Sequence, residues 1–420
     1  MKNIGFCATD ILLPDFKCVD GTKWAVVACD QYTSEPAYWE NAAKIVGDSP
    51  STLRLILPEV YLSETEQRTA DINREMARIQ SELVNYPNAM IALERTQSDG
   101  TVRRGIVGAL DLECYEFSKG AKALTRATEG TVLERIPPRV AIRRDAPLEL
   151  PHVMLLIDDP KKTVIEPILL AASERTPVYD FDLMLGGGHI RAFLLTEDEQ
   201  SAVSAALAAL ITPDAMQEKY GDASLAPFLF AAGDGNHSLA TAKTIYEELK
   251  TTLGEEAARK HPARYALAEV VNLHDDSLQF EPIYRVVFHC DPENLLAELK
   301  EEIASQNGSA DVQTIRWFTK DGEGTLTVPH PTAQLAVGTL QNFLSSYTAR
   351  HPEAEVDYIH GEGSLCTLAK TPNSIGFLFD GMRKDELFRT VLYDGALPRK
   401  TFSMGHAADK RYYLECRKIK

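Results

Sequence analysis

Phe228-Leu229-Phe230-Ala231-Ala232-Gly233-Asp234-Gly235-Asn236-His237-Ser238 is the stretch on which the reading of this chain turns. An apolar run gives way to Gly-Asp-Gly, and Leu239, Ala242, Ile245 and Leu249 then recur at helical spacing. The pattern is strand, tight turn, helix. The first amides of a helix lack partners within it and carry the positive end of its dipole, so a glycine-rich turn there lets a phosphate approach the backbone. Asp234 or Asn236 serving only as a helix cap is the plainer alternative. His237 in the first turn favours function, because capping does not require it. The chain has neither a Walker A sequence nor a Gly-x-Gly-x-x-Gly opening a βαβ unit, so the generic phosphate motifs add nothing.

Working outward, strand-like and helix-like segments alternate. Trp24–Ala28 reads as a buried strand ending in a polar break at residues 29–36, and Val153–Ile157 as another ending at Asp158-Asp159-Pro160. Ser63-Glu64-Thr65-Glu66 has the form of a capping box before a helix carrying Ile72, Met76, Ile79 and Leu83. Residues 90–95 and 101–110, with Asp99-Gly100 between them, predict a hairpin. Further helices are expected over 199–210, 294–303 and 333–347, and strands over 268–272, 283–288 and 375–379. The class is α/β (α+β), mixed sheets with helices. With roughly 100–200 residues per domain, the 420 residues suggest an N-terminal region 1–115, a central region 116–290 with the turn, and a C-terminal region 291–420.

Charge narrows the partners. With 44 Lys+Arg against 61 Asp+Glu the formal charge is −17, which argues against broad binding to nucleic acid. Between Lys119 and Arg144 the balance reverses: seven basic residues, among them Arg126, Arg135 and Arg139, face only Glu129 and Glu134, for a net +5. That stretch either meets an anionic ligand or is a solvated surface, and its prolines predict a loop or broken helix. No run of about 18 apolar residues or signal-like N-terminus occurs, so no membrane and a cytoplasmic location are expected. The seven scattered cysteines form no Cys-x-x-Cys pair and read as reduced thiols.

Other chemical handles are sparse. His-Glu-x-x-His and Gly-x-Ser-x-Gly are absent. His152, His189, His274, His360 and His406 stand alone and read as surface or satisfied core residues. Residues 186–191 read as a turn between strands, with a ligand loop the alternative, and Asp275-Asp276 as solvent-facing carboxylates, with a hard cation the alternative.

The Gly233–Ser238 segment after an apolar strand resembles the Asp-Gly-His-His-Arg signature of the domain of unknown function 1015 family. Other segments resemble that family in order along nearly the whole chain. These are Cys29-Asp30, the Arg- and Glu-bearing residues 126–139, Asp276-Ser277-Leu278 through Pro282-Ile283-Tyr284-Arg285, and Leu397-Pro398-Arg399-Lys400-Thr401. The signature is similar in turn to that of the archaeal free serine kinase, of the ParB and sulfiredoxin fold group, whose corresponding turn binds nucleotide phosphates. The resemblance implies a ParB/sulfiredoxin-like nucleotide-binding core with additional α/β regions.

It also implies a phosphotransferase acting between a nucleotide and a small hydroxylated metabolite, serine or phosphoserine, with Mg²⁺ and ATP or ADP. In that scheme Asp234, Gly235, Asn236, His237 and Ser238 cradle phosphates, His237 donates a hydrogen bond, and Asp30 is the general base, with Glu35, Asp158 and Asp276 as rivals. The sequence departs from the family where its loop His is Asn236 and its loop Arg is Ser238. Arg126, Arg139, Arg285, Arg399 or Lys400 would then supply the missing charge. Sulfiredoxin chemistry needs a loop Cys, and none lies between Cys114 and Cys290. A non-catalytic binder of nucleotide or phosphometabolite and a phosphatase remain alternatives.

Overall fold

The computed structural model describes residues 4–130 and 136–420. Arg135 and Glu134 lie outside the described residues. The central expectation is met: strand Phe230–Asp234 runs into Gly235, in the left-handed region at φ +73°, and helix Asn236–Leu253 follows. A Cβ at Gly235 would fall 2.9 Å from the Val153 Cα, so both the conformation and the close packing require glycine here. Leu239, Ala242 and Tyr246 join Phe230, Ala232 and Leu155 in the core, each large side chain contributing roughly 1.5–3 kcal/mol by burial. Tyr246, rather than Ile245, centres the buried face. Ile245 packs instead with Ile136, Val140 and Ala240.

By its contacts the chain divides into two units. One unit comprises residues 1–127, 131–278 and 405–420; the other comprises 128–130 and 279–404. The last sixteen residues join the first unit by pairing with much earlier strands: Tyr412–Tyr413 lies antiparallel to Val26–Val27, and Arg417–Lys418 to Leu148–Glu149.

Within the first unit the principal sheet runs in the order Tyr179–Asp182, His189–Leu194, Ile91–Thr96, Val102–Asp111, Tyr265–Asn272, Met154–Ile157, Phe230–Asp234, Thr125–Ala127, Tyr115–Glu116. It is mixed. Met154–Ile157 is parallel to Tyr265–Asn272 and antiparallel to Phe230–Asp234, which is parallel to Thr125–Ala127. The Asp99-Gly100 hairpin forms as expected, pairing Thr96 with Val102, with Gly100 at φ +86°.

The second unit is built on a sheet ordered Glu323–Val328, Gln313–Phe318, Ile375–Phe379, Phe280–Phe288, Glu355–His360, with Phe402–Met404 paired to Phe280–Pro282. Helices Pro292–Ser305 and Ala336–Arg350 realise the expected ones, as Glu197–Ala209 does in the first unit. No helix among the described residues is long and apolar enough to cross a membrane.

Three local expectations are corrected. Trp24 ends a short helix, Gly21–Trp24, and only Val26–Val27 is strand, because the Asp20 carboxylate caps that turn. The helix with Ile72, Met76 and Ile79 spans Thr65–Ile79, but Ser63 sits in the 3₁₀ segment Glu59–Glu64 and no capping box forms. The basic stretch contains a regular helix, Ile136–Arg144: its prolines fall in the first turn, where the missing N–H costs nothing.

Candidate functional site

Neither Asp234 nor Asn236 caps the long helix; the cap position is Gly235, which makes no side-chain cap bond to the first helical turn. The first intrahelical bond runs from the Leu239 amide to the Gly235 carbonyl. Asp234 turns back on its own loop, accepting from the Gly235 amide at 2.8 Å, and is paired with Lys410 at 3.2 Å. Asn236 donates to the Ala232 carbonyl at 3.2 Å, leaving its side-chain oxygen buried with no hydrogen-bond partner among the described residues. The arrangement presents helix-terminal amides beside a neutralised carboxylate, the electrostatic setting of an anion site.

A hydrogen-bonded chain adjoins the turn. Ser238 Oγ lies 3.2 Å from His152 Nε2, and His152 Nδ1 lies 2.9 Å from the Tyr413 hydroxyl. That hydroxyl donates to the Cys29 sulfur at 3.0 Å and accepts from the Cys29 amide at 3.3 Å. Burial, with Asp30 nearby, pushes the Cys29 thiol up to about 12, and burial keeps the Tyr413 phenol protonated. Both are neutral at pH 7.

Asp30 follows Cys29 in a tight turn and accepts from the Gln31 side chain at 3.0 Å. Burial opposes its ionisation, but the charge interaction with His152, the Gln31 bond and Lys410 outweigh it, and its carboxyl is held below the usual range. Asp30 and Asp234 thus share Lys410 as a counter-charge. Asp30, His152 and the turn belong to one electrostatic neighbourhood.

The other predicted residues divide. Arg139, on Ile136–Arg144, pairs with Glu59 and lines a cavity of about 160 Å³ together with Ser238, His152, Cys29 and Tyr413. Arg126 is spent on the Ala123, Ala226 and Pro227 carbonyls and stacks on Phe228; burial lowers its guanidinium to about 10. In the second unit Arg285 bonds Gln341 and the Ile283 and Arg399 carbonyls. Arg285, Arg399 and Lys400 all lie against the Tyr358 ring.

Among the rival bases, Asp158 is buried and accepts from Tyr220 at 2.6 Å and His274 at 2.7 Å. Asp276 is exposed beside Lys162, and Glu35 precedes Pro36–Val46 without capping it. Asp275 is not solvent-facing: it is buried, bonding the Ser277 amide and hydroxyl. No group of three or more His, Cys, Asp or Glu among the described residues could hold a metal ion.

Sequence reasoning passed over His152, Tyr413 and Lys410. His152 reads as an isolated histidine; its Pro151-His152 position before a strand was the only available signal. Tyr413 and Lys410 arrive from the C-terminal segment with none.

No curated protein matches the chain in sequence. Remote likeness exists among solved structures. A conserved hypothetical protein from Pyrococcus furiosus is 11% identical with a TM-score of 0.33, covering 74% of this chain and 94% of its own. A mutant free serine kinase in complex with AMP is 11% identical with a TM-score of 0.36, covering 73% and 90%. SbnI from Staphylococcus aureus, truncated at its C-terminus, is 8% identical with a TM-score of 0.34, covering 71% and 82%. Residues 13–394 match a family described as "Protein of unknown function (DUF1015)", and the chain belongs to that family.

Proposed function

We propose that this protein is a phosphotransferase moving a phosphoryl group between a nucleotide, ATP or ADP, and a small hydroxylated metabolite of the serine or phosphoserine class. The observation that supports it is the convergence of the first helical turn, Asn236–Ser238, which has no side-chain cap, with Asp30, both within reach of the Lys410 charge. Phosphoryl transfer asks a protein for positioning and charge neutralisation more than for covalent chemistry.

The turn amides take a phosphate, and His237 donates to it. Asp30, ionised at neutral pH, accepts the acceptor hydroxyl's hydrogen bond and then its proton. Lys410 offsets the two carboxylates that would otherwise repel a polyphosphate. Mg²⁺ would enter on the nucleotide's phosphates and shield them from Asp30 and Asp234.

Calorimetric titration with ATP and ADP in the presence of Mg²⁺, alongside turnover assays with serine and phosphoserine, tests the reading. Saturable binding with phosphoryl transfer supports it. Binding without transfer leaves a nucleotide sensor, release of phosphate to water makes it a phosphatase, and absent binding overturns the nucleotide reading.

A further inference from the structure

The Ser238 hydroxyl and the His152 imidazole meet at 3.2 Å on the wall of a cavity. We propose that Ser238 and His152 form a nucleophile and general-base pair that cleaves esters or thioesters of short or benzene-sized acyl groups. The chain has no Gly-x-Ser-x-Gly, so tertiary structure alone carries the idea.

Proton positions follow from valence. The Tyr413 oxygen donates to the Cys29 sulfur and accepts from the Cys29 amide, which leaves one lone pair for His152 Nδ1–H. In the neutral ring, with the proton on Nδ1, an unprotonated Nε2 faces the Ser238 Oγ–H. A third group orienting the base is the arrangement an activated serine needs. Asp30 lies close enough for its charge to interact with His152, and it would stabilise the imidazolium formed during attack. Ser238 stands in the first turn of an eighteen-residue helix with no side-chain cap among the described residues, so amides are at hand for an oxyanion.

The cavity sets the substrate class. Its walls include Leu55, Leu57, Ile72, Met76, Leu148 and Leu267, and its volume is about 160 Å³. An apolar cavity of roughly 150 Å³ accepts a molecule the size of benzene. A chain of a few carbons or one ring fits, and Glu59, Arg139, Arg143 and Glu149, which also line the cavity, disfavour a long fatty acyl chain.

In the first step Ser238 Oγ bonds to the carbonyl carbon and its proton passes to Nε2. The bond to the alcohol or thiol breaks as Nε2 returns that proton to the leaving group. Water then attacks the acyl-serine, its proton passes through Nε2 to Oγ, and the carboxylic acid departs. Ester and water become acid and alcohol with no other reactant.

The test is labelling of the full chain with a fluorophosphonate, mapped by mass spectrometry, together with hydrolysis of p-nitrophenyl butyrate and p-nitrophenyl palmitate. Nucleotide and Mg²⁺ are left out, so the outcome is independent of the phosphotransfer reading. The expected result is one adduct, on Ser238, lost in Ser238→Ala and slowed about 10²–10⁴-fold in His152→Ala, with butyrate favoured over palmitate. Tyr413→Phe, which keeps the ring packing, should lower butyrate kcat with little change in KM. No adduct on Ser238, or butyrate hydrolysis unchanged in Ser238→Ala, overturns the proposal.

Discussion

Lys410 Nζ stands 3.2 Å from the Asp234 carboxylate, so a residue ten positions before Lys420 answers the charge of the turn that opens the long helix. Both groups are largely shielded from water, with side-chain exposures of 20% and 16%.

Lys410→Met should therefore weaken nucleotide binding about tenfold or more, since roughly 1.4 kcal/mol corresponds to tenfold and the mutation leaves Asp234 and Asp30 facing the phosphates without compensation. Titration of ADP into the variant reads this directly. Affinity equal to that of the unmutated chain would show that Lys410 does no more than pin the tail.

His237→Ala and Asp30→Asn should fail differently. A phosphate donor acts in ground and transition states alike, so loss of His237 should reduce both nucleotide affinity and rate. A general base acts on the proton in flight, so Asp30→Asn should cut kcat about 10²–10⁴-fold with affinity little changed. Full turnover in Asp30→Asn would move the base to another carboxylate.

Glu129 gives the second unit a pH signature. Burial raises its carboxyl from an ordinary 4.5 to about 7, only partly offset by the Lys400 backbone bond and the charges of Arg285 and Lys400. The folded form then holds a proton that the unfolded chain has released. Its contribution to stability is complete below pH 4.5, declines as pH rises toward 7, and is gone above that. Denaturant unfolding monitored at the second unit should show this decline in the unmutated protein and a flatter profile in Glu129→Gln.

Glu269 should be the costliest carboxylate to neutralise. It is fully buried, 2.6 Å from Arg411 and 3.4 Å from Arg103. Glu269→Gln leaves two buried guanidinium groups short of their counter-charge, and breaking a buried pair this way costs about 3–5 kcal/mol. The urea midpoint should fall accordingly; a shift worth under about 1 kcal/mol would mean that Glu415 alone satisfies Arg411.

The local grammar of the chain was readable without coordinates. Apolar residues at 230–232 followed by Gly235 and a helical stripe specify strand, turn and helix, because each depends on neighbours a few residues apart. The Asp99-Gly100 hairpin and the helices Pro292–Ser305 and Ala336–Arg350 are legible for the same reason. Where local reading failed, a competing local bond decided: the Asp20 cap turned Trp24 into a helix end, and first-turn prolines left Ile136–Arg144 intact.

Only the tertiary structure decided what surrounds the turn. Tyr413 reaches His152 across 261 residues and Cys29 across 384, and Ser238 reaches His152 across 86. These meetings come from pairing the C-terminal segment with Val26–Val27 and from the sheet order that sets Phe230–Asp234 beside Met154–Ile157. No periodicity encodes them, since the burial of apolar strand faces that drives such packing is non-directional and reads the same for many partners. The sequence by itself determined strand, glycine turn and helix; the fold determined that Lys410, Asp30, His152 and Tyr413 stand around that turn.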